Sequence, residues 1–218
     1  MNYLKYFCIF QSENRAKNIQ SLKAETEYFK MEKEQIYRQT TSQIKSLIDG
    51  VDNKVGALAN VAAALKETFS YYFWVGFYIV KGEVLELGPF QGPVACYTIM
   101  KGKGVCGTAW ELRKTIVVPD VEKFPGHIAC SSKSRSEIVV PVFKGSDVVA
   151  VIDVDSANLN AFDDKDKEGL ETIAKILLFH LSYLEIKYED LSCITIYVSQ
   201  SSMRNVLHEI SKFPWLFH

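Results

Sequence analysis

The chain has 218 residues, of which 48% are hydrophobic and 23% charged, enough for one sizeable core with terminal extensions. Lys and Arg total 25 against 26 Asp and Glu, for a net charge of −1. No basic excess is present to grip a phosphate backbone, so nucleic-acid binding is not expected.

The first ten residues, MNYLKYFCIF, are apolar but interrupted by Lys5, and a polar run follows without a small-residue cleavage site. A signal peptide is therefore not expected. No apolar stretch reaches the roughly 20 residues that span a bilayer, so no membrane association is expected. The expected compartment is the cytoplasm, where thiols stay reduced unless chemistry oxidises them.

Residues from about Ala16 to Ile48 are rich in Lys, Glu and Gln, with Ile19, Leu22, Phe29 and Ile36 among them. They read as one or two solvent-facing helices, with breaks near Thr40-Thr41-Ser42 and at Asp49-Gly50. A helix follows from about Asn53 to Phe69, with Val55, Leu58, Ala59, Ala62, Leu65 and Phe69 at helical spacing. The pattern then turns to strands. Tyr72 to Val80 is aromatic and β-branched, and Gly82 turns it into Val84 to Leu87. Further strands are expected at Val94 to Met100, Thr115 to Val118, Glu137 to Phe143 and Val148 to Asp155. Lys144 to Asp147 forms a hairpin loop between the last two. A final helix is expected over Asp163 to Lys187, capped by Asp163, with Leu170, Ile173, Ala174, Leu177, Leu181 and Leu184 as its buried stripe. Helices before and after a mainly antiparallel sheet make an α+β fold. Beyond about Asp190 the period is mixed.

Three of the five cysteines fall in distinctive runs: Cys96 in GPFQGPVAC, Cys106 in KGKGVCGTAW and Cys130 in FPGHIACSSKSRSEIVVP. Reduced thiols gathered in this way point to redox chemistry or to metal binding. Cys96, Cys106, His127 and Cys130 could supply four zinc ligands. The close CxxC pairs usual in structural zinc sites are absent, however, and no metal is expected. Gly102 to Gly107 satisfies GxGxxG, but no repeated βαβ pattern follows, so the glycines are read as a tight turn into a helix. Cys106 near that helix's N-terminus is expected to have a lowered pKa.

Taken together, WVGFY, LGPFQGPVAC, GKGVCGTA, VPDVEKFPGHIAC, SEIVVPV and VIDVDS, collinear from about Tyr28 to Leu184, resemble the GAF domain of the free methionine-(R)-sulfoxide reductase family. The resemblance implies a helical arm over 1–27, a GAF domain over 28–188 with its central sheet flanked by N- and C-terminal helices, and an atypical extension over 189–218. It also implies a cofactor-free thiol enzyme that reduces free L-methionine (R)-sulfoxide, with thioredoxin returning the electrons, and pairing as a homodimer. Cys130 would attack, Cys96 would resolve, and Cys106 would be auxiliary, an alternative resolver. Trp74 and Tyr78 would line the substrate pocket.

The residues can be read for that chemistry directly. A thiolate must attack the sulfoxide sulfur while the oxygen is protonated, and a second thiol must condense with the resulting sulfenic acid. Cys130 follows Pro125-Gly126 on a loop, which suits a reachable nucleophile, and His127 would shape that loop or tune the thiolate. Strand alternation places Val149, Val151, Asp153 and Asp155 on one face, and Glu137 opens the partner strand. Close carboxylates raise one another's pKa, so one can stay protonated and act as the acid. Trp74 and Tyr78 share a face, with Gly76 leaving a gap between them for a small apolar group. The rival reading is a non-catalytic GAF sensor module, which would have no need of three thiols beside a carboxylate cluster.

Overall fold

The structure is a computed structural model describing residues 31–128 and 131–177, all within one compact unit, Met1–Leu178. Helix α1 is described over residues 31–48 and α2 over Lys54–Thr68. Strands β1 (Trp74–Lys81), β2 (Val84–Gln91) and β3 (Thr98–Met100) follow. Helix α3 (Gly104–Leu112) leads to β4 (Ile116–Val118) and a short 3-10 turn at Val121–Lys123. Then come β5 (Ser136–Lys144), β6 (Asp147–Ser156) and α4, described over 164–177. The expected arm over 1–27, the extension over 189–218 and the last turns of the final helix lie outside the described residues.

The six strands form one sheet in the order β3-β2-β1-β6-β5-β4, and every neighbouring pair is antiparallel. Because side chains alternate across a strand, β1, β5 and β6 each feed two apolar clusters. On one face Val75, Phe77, Ile138, Val140, Ile152 and Val154 pack against α1, α2 and α4, which contribute Ile44, Leu58, Leu65, Leu170, Ile173 and Leu177. On the other face Trp74, Tyr78, Val139 and Val151 meet Val105, Ala109 and Trp110 of α3. The central strands are thus buried on both sides, and β5 is almost continuously apolar as a result.

Three expectations need correction. Helix α1 runs unbroken through Thr40-Thr41-Ser42: Thr40 is buried, and its hydroxyl donates to the Ile36 carbonyl, so its polar group stays inside the helix. Val55 is 68% exposed, and the buried side of α2 is Ala57, Leu58, Val61, Ala62, Ala64 and Leu65. Val149 leaves the face expected for it. The ladder pairs Phe143 with Val148 but Val142 with Ala150, and this bulge gives Val148 the place beside Val151 while Val149 packs with the helical side. The expected capping at Asp163 is present and reciprocal: Asp163 Oδ1 accepts from the Asp166 amide, and Asp166 Oδ2 accepts from the Asp163 amide.

Candidate active site

Ladder register gathers the chemistry. Asp155 stands opposite Trp74 on one side and Glu137 on the other, and Asp153 stands opposite Gly76 and Val139. Residues paired in this way project from the same face, so one cross-strand row carries Glu137, Asp155 and Trp74. Helix α3 closes over this face and brings Cys106 against it. The cavity between them has a volume of about 40 Å³ and is lined by Trp74, Tyr78, Cys106, Glu137, Asp153 and Asp155, with Val94, Ala95, His127, Ile128, Ser131 and Ser134 at its loop side.

Helix α3 reaches this position through its glycines. Gly102 and Gly104 turn with positive φ, and at Gly107 a Cβ would lie 2.3 Å from the Met100 carbonyl oxygen, so any side chain there would push the helix off the strand. The GxGxxG string is a close-packing device in an antiparallel frame.

The carboxylates are held in an unfavourable setting. Glu137 and Asp153 are each 6% exposed. Burial, followed by repulsion from Asp153 and Asp155, pushes Glu137 well above the usual carboxylate range. Asp153 is pushed up by burial and by Asp155, and its Oδ1 has no hydrogen-bond partner among the described residues. Asp155 is pushed up to about 6 by burial, partly offset by a hydrogen bond donated by Ser134 Oγ. Burial and mutual repulsion therefore favour the protonated forms of Glu137 and Asp153, whereas Asp155, at about 6, is mostly ionised at neutral pH.

Cys106 does not have the lowered pKa expected of it. Its thiol is free and fully buried, and burial together with Asp153 and Glu137 pushes its pKa well above the ordinary thiol value. Any field from the start of α3 is outweighed by desolvation and by two acidic neighbours, with Glu137 Oε1 4.0 Å from Sγ.

Cys96 is disulfide-bonded and half-buried, in the irregular segment before β3 rather than inside a strand. It is not among the cavity-lining residues, although Ala95 beside it is. Two aromatic side chains moor this segment to β1: Trp74 Nε1 donates to the Pro93 carbonyl at 3.1 Å, and Tyr78 Oη donates to the Cys96 carbonyl at 3.0 Å. Cys130 lies outside the described residues.

The gap expected at Gly76 is already filled. A Cβ there would lie 2.4 Å from Phe90 Cβ and 2.6 Å from the Trp74 ring, which folds back over the glycine and stacks on Phe90 with centroids 5.3 Å apart. The residues that sequence reasoning missed are Phe90 and Ser134. Phe90 sits two strands from Asp153, a relation only the ladder reveals, and Ser134 lies in a polar run with no distinguishing signal.

An antiparallel sheet with helices packed on one face and a ligand-sized hollow on the other is the frame of a GAF domain, and the family model described as GAF domain matches residues 56–181. GAF domain-containing protein A of Dictyostelium discoideum is 56% identical over 152 residues, 69% of this chain and 96% of that protein. Free methionine-R-sulfoxide reductase of Saccharomyces cerevisiae is 42% identical over 155 residues, 67% of this chain and 86% of the enzyme. The X-ray structure of free methionine-R-sulfoxide reductase from Neisseria meningitidis in complex with its substrate superposes with a TM-score of 0.67 at 48% identity, covering 68% of this chain and 90% of that one. The chain belongs to the free methionine-R-sulfoxide reductase family of GAF-domain enzymes.

Proposed function

We propose that this chain reduces free L-methionine (R)-sulfoxide to methionine in the cavity between β1, β6, β5 and α3, and that thioredoxin restores its thiols in the cytoplasm. The observation that carries the reading is the row of buried carboxyl groups, Glu137, Asp153 and Asp155, lining one cavity with Trp74, with the disulfide-bonded Cys96 moored to β1 by the Tyr78 hydroxyl. The names of the relatives support the same substrate and make a non-catalytic sensor the less favoured reading.

On this reading the Cys130 thiolate attacks the sulfoxide sulfur, and a proton from the Glu137, Asp153 and Asp155 trio goes to the oxygen. The oxygen then passes to the Cys130 sulfur as the transient S–S bond and the substrate S–O bond both break, so methionine leaves and Cys130 carries a sulfenic acid. The Cys96 thiol then attacks the Cys130 sulfur, releasing water and forming the disulfide, which thioredoxin opens by thiol–disulfide exchange. Trp74 packs on the methyl side of the substrate, and Tyr78 shapes the wall while holding the Cys96 carbonyl. Cys106, buried with a raised pKa, is a poor nucleophile and a slow alternative resolver. Family resemblance also suggests a homodimer.

The test is consumption of methionine sulfoxide epimers by the purified full chain with thioredoxin, thioredoxin reductase and NADPH. Turnover of the free R epimer, with the S epimer untouched, is expected. Absence of turnover of either epimer by folded protein with free thiols would sink the reading.

A further inference from the structure

The substrate cavity holds a donor set that suits a cation as well as the sulfoxide. One ligand atom each from Cys106 on α3, Glu137 on β5 and Asp153 on β6 lies within 4.8 Å of the other two, and all three residues are buried. Asp153 Oδ1 is a buried acceptor without a hydrogen-bond partner among the described residues, on a residue 6% exposed that lines the cavity. A buried carboxylate oxygen in that state carries the desolvation penalty of an unmet acceptor, which a cation would relieve. The donors come from three different regular elements, so their relative positions are fixed by the fold.

We propose that Cys106, Glu137 and Asp153 form a binding site for a borderline-soft divalent cation of the zinc class, and that the ion and the substrate exclude each other. Binding releases the protons these buried groups hold, and the resulting thiolate with two carboxylates disfavours Mg²⁺ and Ca²⁺, which take all-oxygen shells, and favours Zn²⁺ or Co²⁺. With Zn–S about 2.3 Å and Zn–O about 2.0–2.2 Å, tetrahedral donors sit about 3.5 Å apart. The 4.0 Å between Cys106 Sγ and Glu137 Oε1 therefore closes with small side-chain rotations. Three protein ligands leave a fourth position facing the cavity. This set shares only Cys106 with the thiol and imidazole set that the sequence spacing suggests, and it leaves Cys96 free to be in its disulfide. The mutual exclusion rests on the substrate reading above, whereas the metal site does not.

The experiment uses the full-length protein with its disulfide formed, titrated with Co²⁺. A thiolate-to-cobalt charge-transfer band in the near ultraviolet is expected, and Zn²⁺ should displace it. Cys106→Ser should abolish the band, and the isosteric Asp153→Asn and Glu137→Gln should each weaken Co²⁺ binding at least tenfold, with circular dichroism verifying the fold. A band unchanged in Cys106→Ser, or one lost only in His127→Ala, overturns the site, as does the absence of any band in folded wild type. Free methionine (R)-sulfoxide should bleach the Co²⁺ band in the wild type. A Cys106-dependent band that the sulfoxide leaves untouched would uphold the metal site but count against this cavity as the substrate pocket.

Discussion

Lys33 and Asp166, 133 residues apart in sequence, meet with Nζ 2.8 Å from Oδ2 in the helical layer, where the Asp166 side chain is fully buried. The same carboxylate accepts from Tyr37 and Tyr71 at its other oxygen, at 2.8 and 2.5 Å, and from the Asp163 amide. The Tyr37 and Tyr72 hydroxyls lie 2.5 Å apart. One carboxylate therefore ties α1, the segment before β1 and the start of α4 together. Burial alone would lower the Lys33 pKa, but Asp166 and Asp163 hold it above its ordinary value.

Lys33→Met should remove the cation and leave Asp166 buried with neutral donors only. A loss of about 2–4 kcal/mol in urea denaturation is expected, at the low end of a broken buried pair because Lys33 is partly exposed. The network lies on the face opposite the cavity, so kcat per folded molecule should not change. A fall in kcat without a fall in stability would place this cluster in the catalytic machinery.

The acidic trio should oppose stability while serving activity. Each carboxyl has a folded pKa above its unfolded value, so its contribution is fully present below the unfolded pKa near 4 and is lost as pH rises through the folded pKa. For Asp155 that window closes near pH 6, a loss of at most about 3 kcal/mol. Asp155→Asn and Glu137→Gln should therefore be more stable than wild type at pH 8 and lose that advantage towards pH 4. Turnover should fall about 10²–10⁴-fold if the trio supplies the proton. Guanidinium titrations at three pH values, paired with kcat, check both. Wild-type turnover in both variants would remove the acid role.

Much of this was legible in the chain. Alternation in VIDVDS put Asp153 and Asp155 on one face because side chains on a strand repeat every two residues, and the hairpin and the Asp163 cap were equally local. What escaped depended on long-range geometry. The Val149 bulge is a mismatch between two strands, visible only when both are paired. Helix-terminal placement suggested an acidic Cys106 thiol, but burial under the sheet, and then Asp153 and Glu137, 47 and 31 positions away, reverse the sign. The apparent gap at Gly76 disappeared because a ring two residues away folds into it.

Gly76→Ala tests that last point. The new methyl would collide with Phe90 and with the Trp74 ring, and overpacking of this kind typically costs about 1–3 kcal/mol. Displacement of Trp74 should also loosen the Pro93 carbonyl it holds, altering indole fluorescence and raising KM. Unchanged fluorescence and KM would show that Trp74 does not depend on the glycine.

The thiols should separate in single-turnover experiments. Cys130→Ser should form no methionine. Cys96→Ser should form one equivalent per enzyme and then stall under thioredoxin recycling. Cys106→Ser should remain close to wild type, because the buried thiol is poorly ionised. Peptide mass mapping after substrate treatment should find Cys96 joined to Cys130. A Cys106–Cys130 link would exchange the two supporting roles, and a full equivalent from Cys130→Ser would remove the nucleophile assignment.

Strand β6 sends Ile152 and Val154 into the helical core and Asp153 and Asp155 into the cavity. Tolerance to insertion should therefore differ sharply along ten residues. Near the β5–β6 turn the ladder already absorbs one extra residue at Val149, so another there is carried off by the hairpin. Directly after Val151 the same insertion would rotate Asp153 and Asp155 into the hydrocarbon layer and Ile152 and Val154 towards the substrate. The strand can be lengthened at its hairpin end and cannot be at the end that carries the carboxylates.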